Sequence, residues 1–109
     1  MTVLVDTGPL VALLNRRDTH HRWTVAKLGQ TQGPLFTCEA VMAEAHYLLS
    51  GVHDGRHRLC QLVDTGRLDL TFSYAGCARR VHQLMAKYGD VPMSLADACL
   101  VALAEQVSK

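Results

Sequence analysis

Three acids, Asp6, Glu44 and Asp97, stand in apolar company along the chain, and together they have the chemistry to bind a divalent cation. Asp6 ends the apolar run Val3-Leu4-Val5 and precedes Thr7-Gly8-Pro9, a turn that opens a helix. In open parallel sheets, ligands bind just outside the carboxyl ends of the strands. The competing reading of Asp6 is a turn-forming or helix-capping residue. Glu44 lies three residues after Val41 and four before Leu48, which puts it on the apolar stripe of its helix, the face expected to meet a sheet. An unpaired carboxylate buried there is costly or shifts its pKa, so it calls for a cation. Glu39 competes for the role. Five residues of helix turn it about 140° away from Glu44, and in the first turn it favours the helix dipole instead. Asp97 has Met93 four residues before it, Leu100 three after and Val101 four after. Ser94-Leu95-Ala96-Asp97 also matches a capping box, a strong structural alternative. Converging carboxylates repel unless a divalent cation joins them. All-oxygen ligation suits Mg²⁺ or Mn²⁺ over Zn²⁺, and such an ion activates water and stabilises charge in phosphoryl transfer.

The elements that must position these acids follow from local pattern. Thr2 to Asp6 reads as a buried strand, Leu35 to Thr37 as a second and Leu68 to Phe72 as a third. A helix opens at Gly8-Pro9, with Leu10, Leu13 and Leu14 on one face. A second, capped by Asp18 or Thr19, carries Trp23, Ala26 and Leu28. Glu39 to Ser50 and Asp54 to Thr65 are helices closed by Gly51 and Gly66. Tyr74 to Tyr88 is a helix with Ala78, Val81, Leu84, Met85 and Tyr88 as its stripe, and Ser94 to about Val107 is the last. Strands separated by helical crossovers imply an α/β fold with a parallel sheet.

The bulk numbers agree with one globular domain. The chain has 109 residues, 49% of them hydrophobic and 19% charged. No apolar run is long enough for a membrane span, and the start lacks the basic region and cleavage signal of a secretory peptide, so a cytoplasmic location is expected. Cys38, Cys60, Cys77 and Cys99 lack knuckle or redox-motif spacing and read as reduced core thiols. The six histidines offer no i, i+4 pair with a third ligand, apart from His53 and His57 at a helix start, read as a surface feature. A net charge of +1 announces no nucleic-acid binder. The basic residues nonetheless cluster. Arg16, Arg17, His20, His21 and Arg22 form one group, Arg56, His57 and Arg58 another, Arg79 and Arg80 a third. Solvated helix faces explain most such residues. The first group, Arg16, Arg17 and Arg22 above all, is the best candidate for contacts to phosphates, which in a nuclease would be those of RNA, because it follows the helix that starts at Asp6.

Three motifs carry a family resemblance. Val3-Leu4-Val5-Asp6-Thr7-Gly8-Pro9-Leu10 resembles the opening of PIN domains, where an Asp at the end of the first strand precedes a small hydroxylic residue. Phe36-Thr37-Cys38-Glu39-Ala40-Val41-Met42-Ala43-Glu44 resembles the second motif, a Ser or Thr before a helix whose acid lies about two turns in. Leu95-Ala96-Asp97-Ala98-Cys99-Leu100 resembles the third, and His20-His21 is similar to a pair common in the VapC-like bacterial toxins. The resemblance spans essentially the whole chain, residues 1–109, as one PIN-like domain. It implies a three-layer fold and a metal-dependent endoribonuclease, the toxin of a toxin–antitoxin pair. Asp6, Glu44 and Asp97 would be the metal ligands for Mg²⁺ or Mn²⁺. Thr7 and Thr37 would be supporting or substrate-contacting hydroxyls. The implied partners are RNA, an antitoxin protein and a second copy of the chain, with no membrane. PIN domains usually continue into a further strand beside the first, often supplying a fourth acid. The chain ends at Val107-Ser108-Lys109, so the domain is expected to be incomplete at that end, with the Val3 to Val5 edge unpaired. A shortened, inactive PIN-like module that binds protein or RNA without cutting is the alternative.

Overall fold

The structure, a computed structural model, describes residues 2–108. Three short parallel strands, β1 (Val3–Leu4), β2 (Leu35–Phe36) and β3 (Leu68–Asp69), lie in the order β1-β2-β3. Val3 pairs with Leu35 and Leu4 with Phe36, while Leu35 pairs with Leu68 and Phe36 with Asp69. Each crossover is helical: α1 (Thr7–Leu14) and α2 (His21–Gly29) join β1 to β2, and α3 (Glu39–Leu48) and α4 (Gly55–Asp64) join β2 to β3. A 3-10 turn over Ala75–Cys77, α5 (Ala78–Lys87) and α6 (Leu95–Val107) complete the described chain. This is the expected α/β order, with β1 at the edge of the sheet.

Local chemistry explains where the boundaries moved. α1 begins at Thr7 rather than at Gly8-Pro9, because Asp6 caps it. Pro9 therefore falls within the first turn, where its missing N–H has no intrahelical partner to lose. His20 is the N-cap residue of α2, while Asp18 accepts the His20 N–H in the loop before it. The helix expected over Tyr74 to Tyr88 divides into a 3-10 turn and α5, as Ser73 Oγ accepts the Gly76 N–H at 3.0 Å. The strands are shorter than the apolar runs that announce them. Hydrogen bonds from Val5 N–H to the Phe36 carbonyl and from Thr37 N–H to the Asp69 carbonyl still carry the chains side by side past the formal strand ends.

The core joins Val5 and Leu35 of the sheet region to Leu10 and Leu14 of α1, Val41, Ala45 and Leu49 along α3, Leu59 of α4, Val81 and Leu84 of α5, and Cys99 and Leu103 of α6. Some expected stripe residues lie outside it. Trp23, Leu48 and Tyr88 are exposed, since α2, α3 and α5 each turn a neighbouring face inward. Cys60 is also exposed, on the outer side of α4, which corrects its reading as a core thiol. All four cysteines are free.

Candidate active site

The carboxyl ends of β1 and β2 gather most of the singled-out residues. Asp6 follows β1 directly and accepts the Thr7 N–H on Oδ1 at 2.7 Å, so its capping reading is realised. Thr7 is the first residue of α1, is buried, and donates its hydroxyl to Glu44 Oε2 at 2.9 Å. A thirty-seven-residue separation in sequence is thereby closed by one hydrogen bond, and Glu44 is drawn to the residue beside Asp6.

Glu44 does not lie where the stripe argument put it. The inward face of α3 runs through Val41, Ala45 and Leu49, and Glu44 sits one residue, about 100°, to the side of it. It is exposed, like Leu48 below it. The desolvation argument for a cation at Glu44 therefore falls. Its place is better explained by reach: an exposed carboxylate on the flank of α3 contacts the N-terminus of α1.

Thr37 is fully buried and donates its hydroxyl to the Val5 carbonyl at 2.7 Å. In this closed environment its hydroxyl serves the backbone, in keeping with the supporting role rather than substrate contact. It braces the backbone one residue before Asp6. Thr37→Val keeps the shape and strands that carbonyl without a donor, at a cost of about 1–3 kcal/mol. Thermal unfolding of the variant is expected to shift down accordingly.

Asp97 stands in the first turn of α6 and completes a full capping box. Its backbone N–H donates to Ser94 Oγ at 3.0 Å, and its Oδ2 accepts the Ser94 N–H at 3.1 Å. It is exposed, and the buried face of α6 is formed instead by Ala96, Ala98, Cys99, Ala102 and Leu103. The box predicts that Ser94→Ala destabilises the protein by about 1 kcal/mol, read as a lower unfolding midpoint. Cys99 brings this turn to the start of α3, since it is buried in the same core as Cys38, the N-cap residue of α3, and lines one cleft with it. Burial pushes the Cys99 thiol up to about 11 and raises that of Cys38 as well, with the negative charge of nearby Asp6 adding to the latter. Both thiols are thereby shifted toward the protonated form.

Among the described residues, no three His, Cys, Asp or Glu side chains converge closely enough to hold a metal ion between them. The donor set still fits a hard cation of the Mg²⁺ kind. Such an ion keeps several waters and is held through one or two carboxylates plus substrate phosphates, seldom by an all-protein cage. Asp6, Glu44 and Asp97 are exposed, and each engages one carboxylate oxygen with the protein, leaving the other without a hydrogen bond among the described residues. A cleft of about 530 Å³ opens between the start of α3, the segment after β3 and the start of α6, lined in part by Cys38, Glu39, Thr71, Tyr74 and Leu95 but by none of the three acids. Glu39, set aside on the helix wheel, is thus at this rim, whereas Glu44 borders a separate shallow recess with Tyr47 and Leu48. Of the proposed RNA contacts, Arg16 and Arg17 line a second cleft, together with Arg58, and Arg22 lies exposed on α2 outside it. Arg58 was grouped with Arg56 and His57 in sequence. Nothing local in the chain announces its meeting with Arg16 and Arg17.

The fold and these motifs define a class. The PIN domain family model matches residues 3–108, and the chain belongs to the PIN domain family. The structure superposes on that of Mycobacterium tuberculosis VapC20, described as a sarcin-ricin loop cleaving toxin, with a TM-score of 0.86. The two are 16% identical, and the match covers 98% of this chain and 84% of that one. No curated protein sequence matches the chain.

Proposed function

We propose that the chain is a Mg²⁺- or Mn²⁺-dependent endoribonuclease and the toxin of a toxin–antitoxin pair. The observation that carries this reading is the Asp6–Thr7–Glu44 linkage at the carboxyl end of β1 in a PIN-family chain. Asp6, Glu44 and Asp97 would hold the ion. When bound, it supplies Lewis-acid stabilisation of phosphoryl charge and lowers the pKa of water. The protein's own part is to fix the carboxylates. The Thr7 N–H and hydroxyl orient one oxygen each of Asp6 and Glu44, Thr37 braces Val5, and Ser94 holds Asp97. The reaction is hydrolysis: water adds to phosphorus, the P–O bond to the leaving nucleotide breaks, and a proton ends on the leaving oxygen. Arg16, Arg17 and Arg22 attract the RNA phosphates. The partners in this reading are a cytoplasmic RNA, an antitoxin protein and a second copy of the chain. No helix among the described residues is long and apolar enough to cross a membrane.

The second reading is a PIN module that binds without cutting. It is favoured by the use of Asp6 and Asp97 as caps and by the lack of three converging ligands among the described residues. Incubation with labelled RNA separates the two. Cleavage in Mg²⁺ that stops with excess chelator and returns with Mn²⁺ supports the nuclease. Cleavage indifferent to chelator contradicts the metal role, and binding without cleavage in either metal supports the module.

A further inference from the structure

The loop after α1 and the loop between α3 and α4 enclose a cleft of about 870 Å³. Arg16 and Arg17 enter it from the first loop, while His53, Asp54 and Arg58 enter from the second loop and the start of α4. Leu14 and Val52 are its apolar contributors. Among the described residues, none of the three guanidinium groups has a hydrogen bond or ion pair to the protein. Asp54 lies at 3.4 Å from His53 Nε2, so the one carboxylate in the lining faces the histidine. Other arginines are engaged: Arg56 donates to the His46 carbonyl, Arg67 to the Leu28 and Gly33 carbonyls, and Arg80 to Glu105. The cleft thus concentrates unpartnered positive charge in a protein of nearly zero net charge.

We propose that this cleft is an anchoring site for the phosphate backbone of single-stranded RNA, separate from the carboxylate site. The idea rests on the nuclease reading for its choice of RNA. Three planar guanidinium forks match phosphate oxygens, and Leu14 and Val52 offer little that an acidic protein segment would need as an apolar anchor. α1 links the two places: Asp6 caps its start, and the cleft lies at its other end. Eight residues of helix separate them by about 12 Å. A strand held in the cleft is therefore presented along α1 toward the acids, and the contact is to the backbone, without sequence preference.

The test is fluorescence anisotropy of labelled oligouridylate in excess chelator, which keeps binding apart from cutting. The variants are R16Q/R17Q/R58Q, the double R16Q/R17Q, and Arg79→Gln as a charge control on α5. The triple variant is expected to bind roughly tenfold or more weakly, with the slope of log affinity against log salt reduced by about 2. The double variant, whose residues are both exposed, gives about two thirds of that reduction and carries the test if the triple fails to fold. Arg79→Gln is expected to leave the slope within a fraction of the triple's change. Unchanged binding in the triple and double variants, an equal effect from Arg79→Gln, no RNA binding by the parent protein, or displacement by polyglutamate as readily as by polyuridylate would each overturn the proposal. Chelator-sensitive cleavage of RNA by the parent protein reports on the nuclease reading independently. The nuclease stands if cleavage persists while the arginine variants bind normally, and the cleft stands if they bind poorly while nothing is cut.

Discussion

Asp6→Asn is expected to reduce RNA cleavage by roughly a thousandfold while leaving the protein folded. Asparagine is as good an N-cap as aspartate, so the oxygen that accepts the Thr7 N–H is preserved and α1 keeps its start. What the substitution removes is the formal negative charge at the end of β1. In the proposed reaction a cation held there would supply several kcal/mol of phosphoryl charge stabilisation, and each 1.36 kcal/mol of barrier is a factor of ten in rate. The thermal midpoint should move by no more than the few degrees expected for less than about 1 kcal/mol. Asp6→Ala makes the informative contrast, because it loses the cap as well as the charge. A variant that unfolds as easily as Asp6→Ala yet cleaves at the parent rate would show that Asp6 serves the helix alone. Asp97→Asn obeys the same logic, since an amide oxygen still accepts the Ser94 N–H.

The second large effect is on stability. Leu10 is fully buried in the core, in the turn of α1 that begins with its own N–H donating to the Asp6 carbonyl at 3.2 Å. Leu10→Ala is expected to cost about 2–5 kcal/mol, the transfer free energy of the lost methyl groups plus the cavity they leave. Against a total of about 5–15 kcal/mol for a domain, that is a large fraction. Leu48→Ala should change stability by no more than about 0.5 kcal/mol, since Leu48 is 55% exposed. Denaturant melts of the two variants give the comparison directly. Equal losses would contradict the packing of α1 and α3 described above.

Leu10 and Leu48 also mark how far the sequence could be read. Both stand on plausible apolar stripes, and periodicity alone ranks them alike. What separates them is which side of α3 faces the core, a tertiary choice fixed by Val41, Ala45 and Leu49 packing inward together. The same ambiguity misplaced Glu44 by one helical position. The order of strands and helices was legible because each apolar run and glycine stop is a local signal. Strand length was not, because two-residue ladders inside longer apolar runs leave no mark in composition. Within the candidate site, Asp6, Asp97 and the hydroxyls could be named from motif and spacing. Thr7 donating to Glu44, Thr37 bracing Val5, and Arg58 joining Arg16 and Arg17 are contacts between distant segments, and only the fold brings them together. The capping readings of Asp6 and Asp97 were competing explanations in sequence. In the structure each cap occupies one carboxylate oxygen, so capping and cation binding by the other oxygen are compatible.

The central proposal is that these acids bind a divalent metal, and it is tested without knowing the RNA target by titrating Mn²⁺ calorimetrically into the parent protein and into Asp6→Asn. The proposal predicts one saturable Mn²⁺ site in the parent that disappears in the variant. No saturable binding in the parent, or equal binding in both proteins, would contradict it.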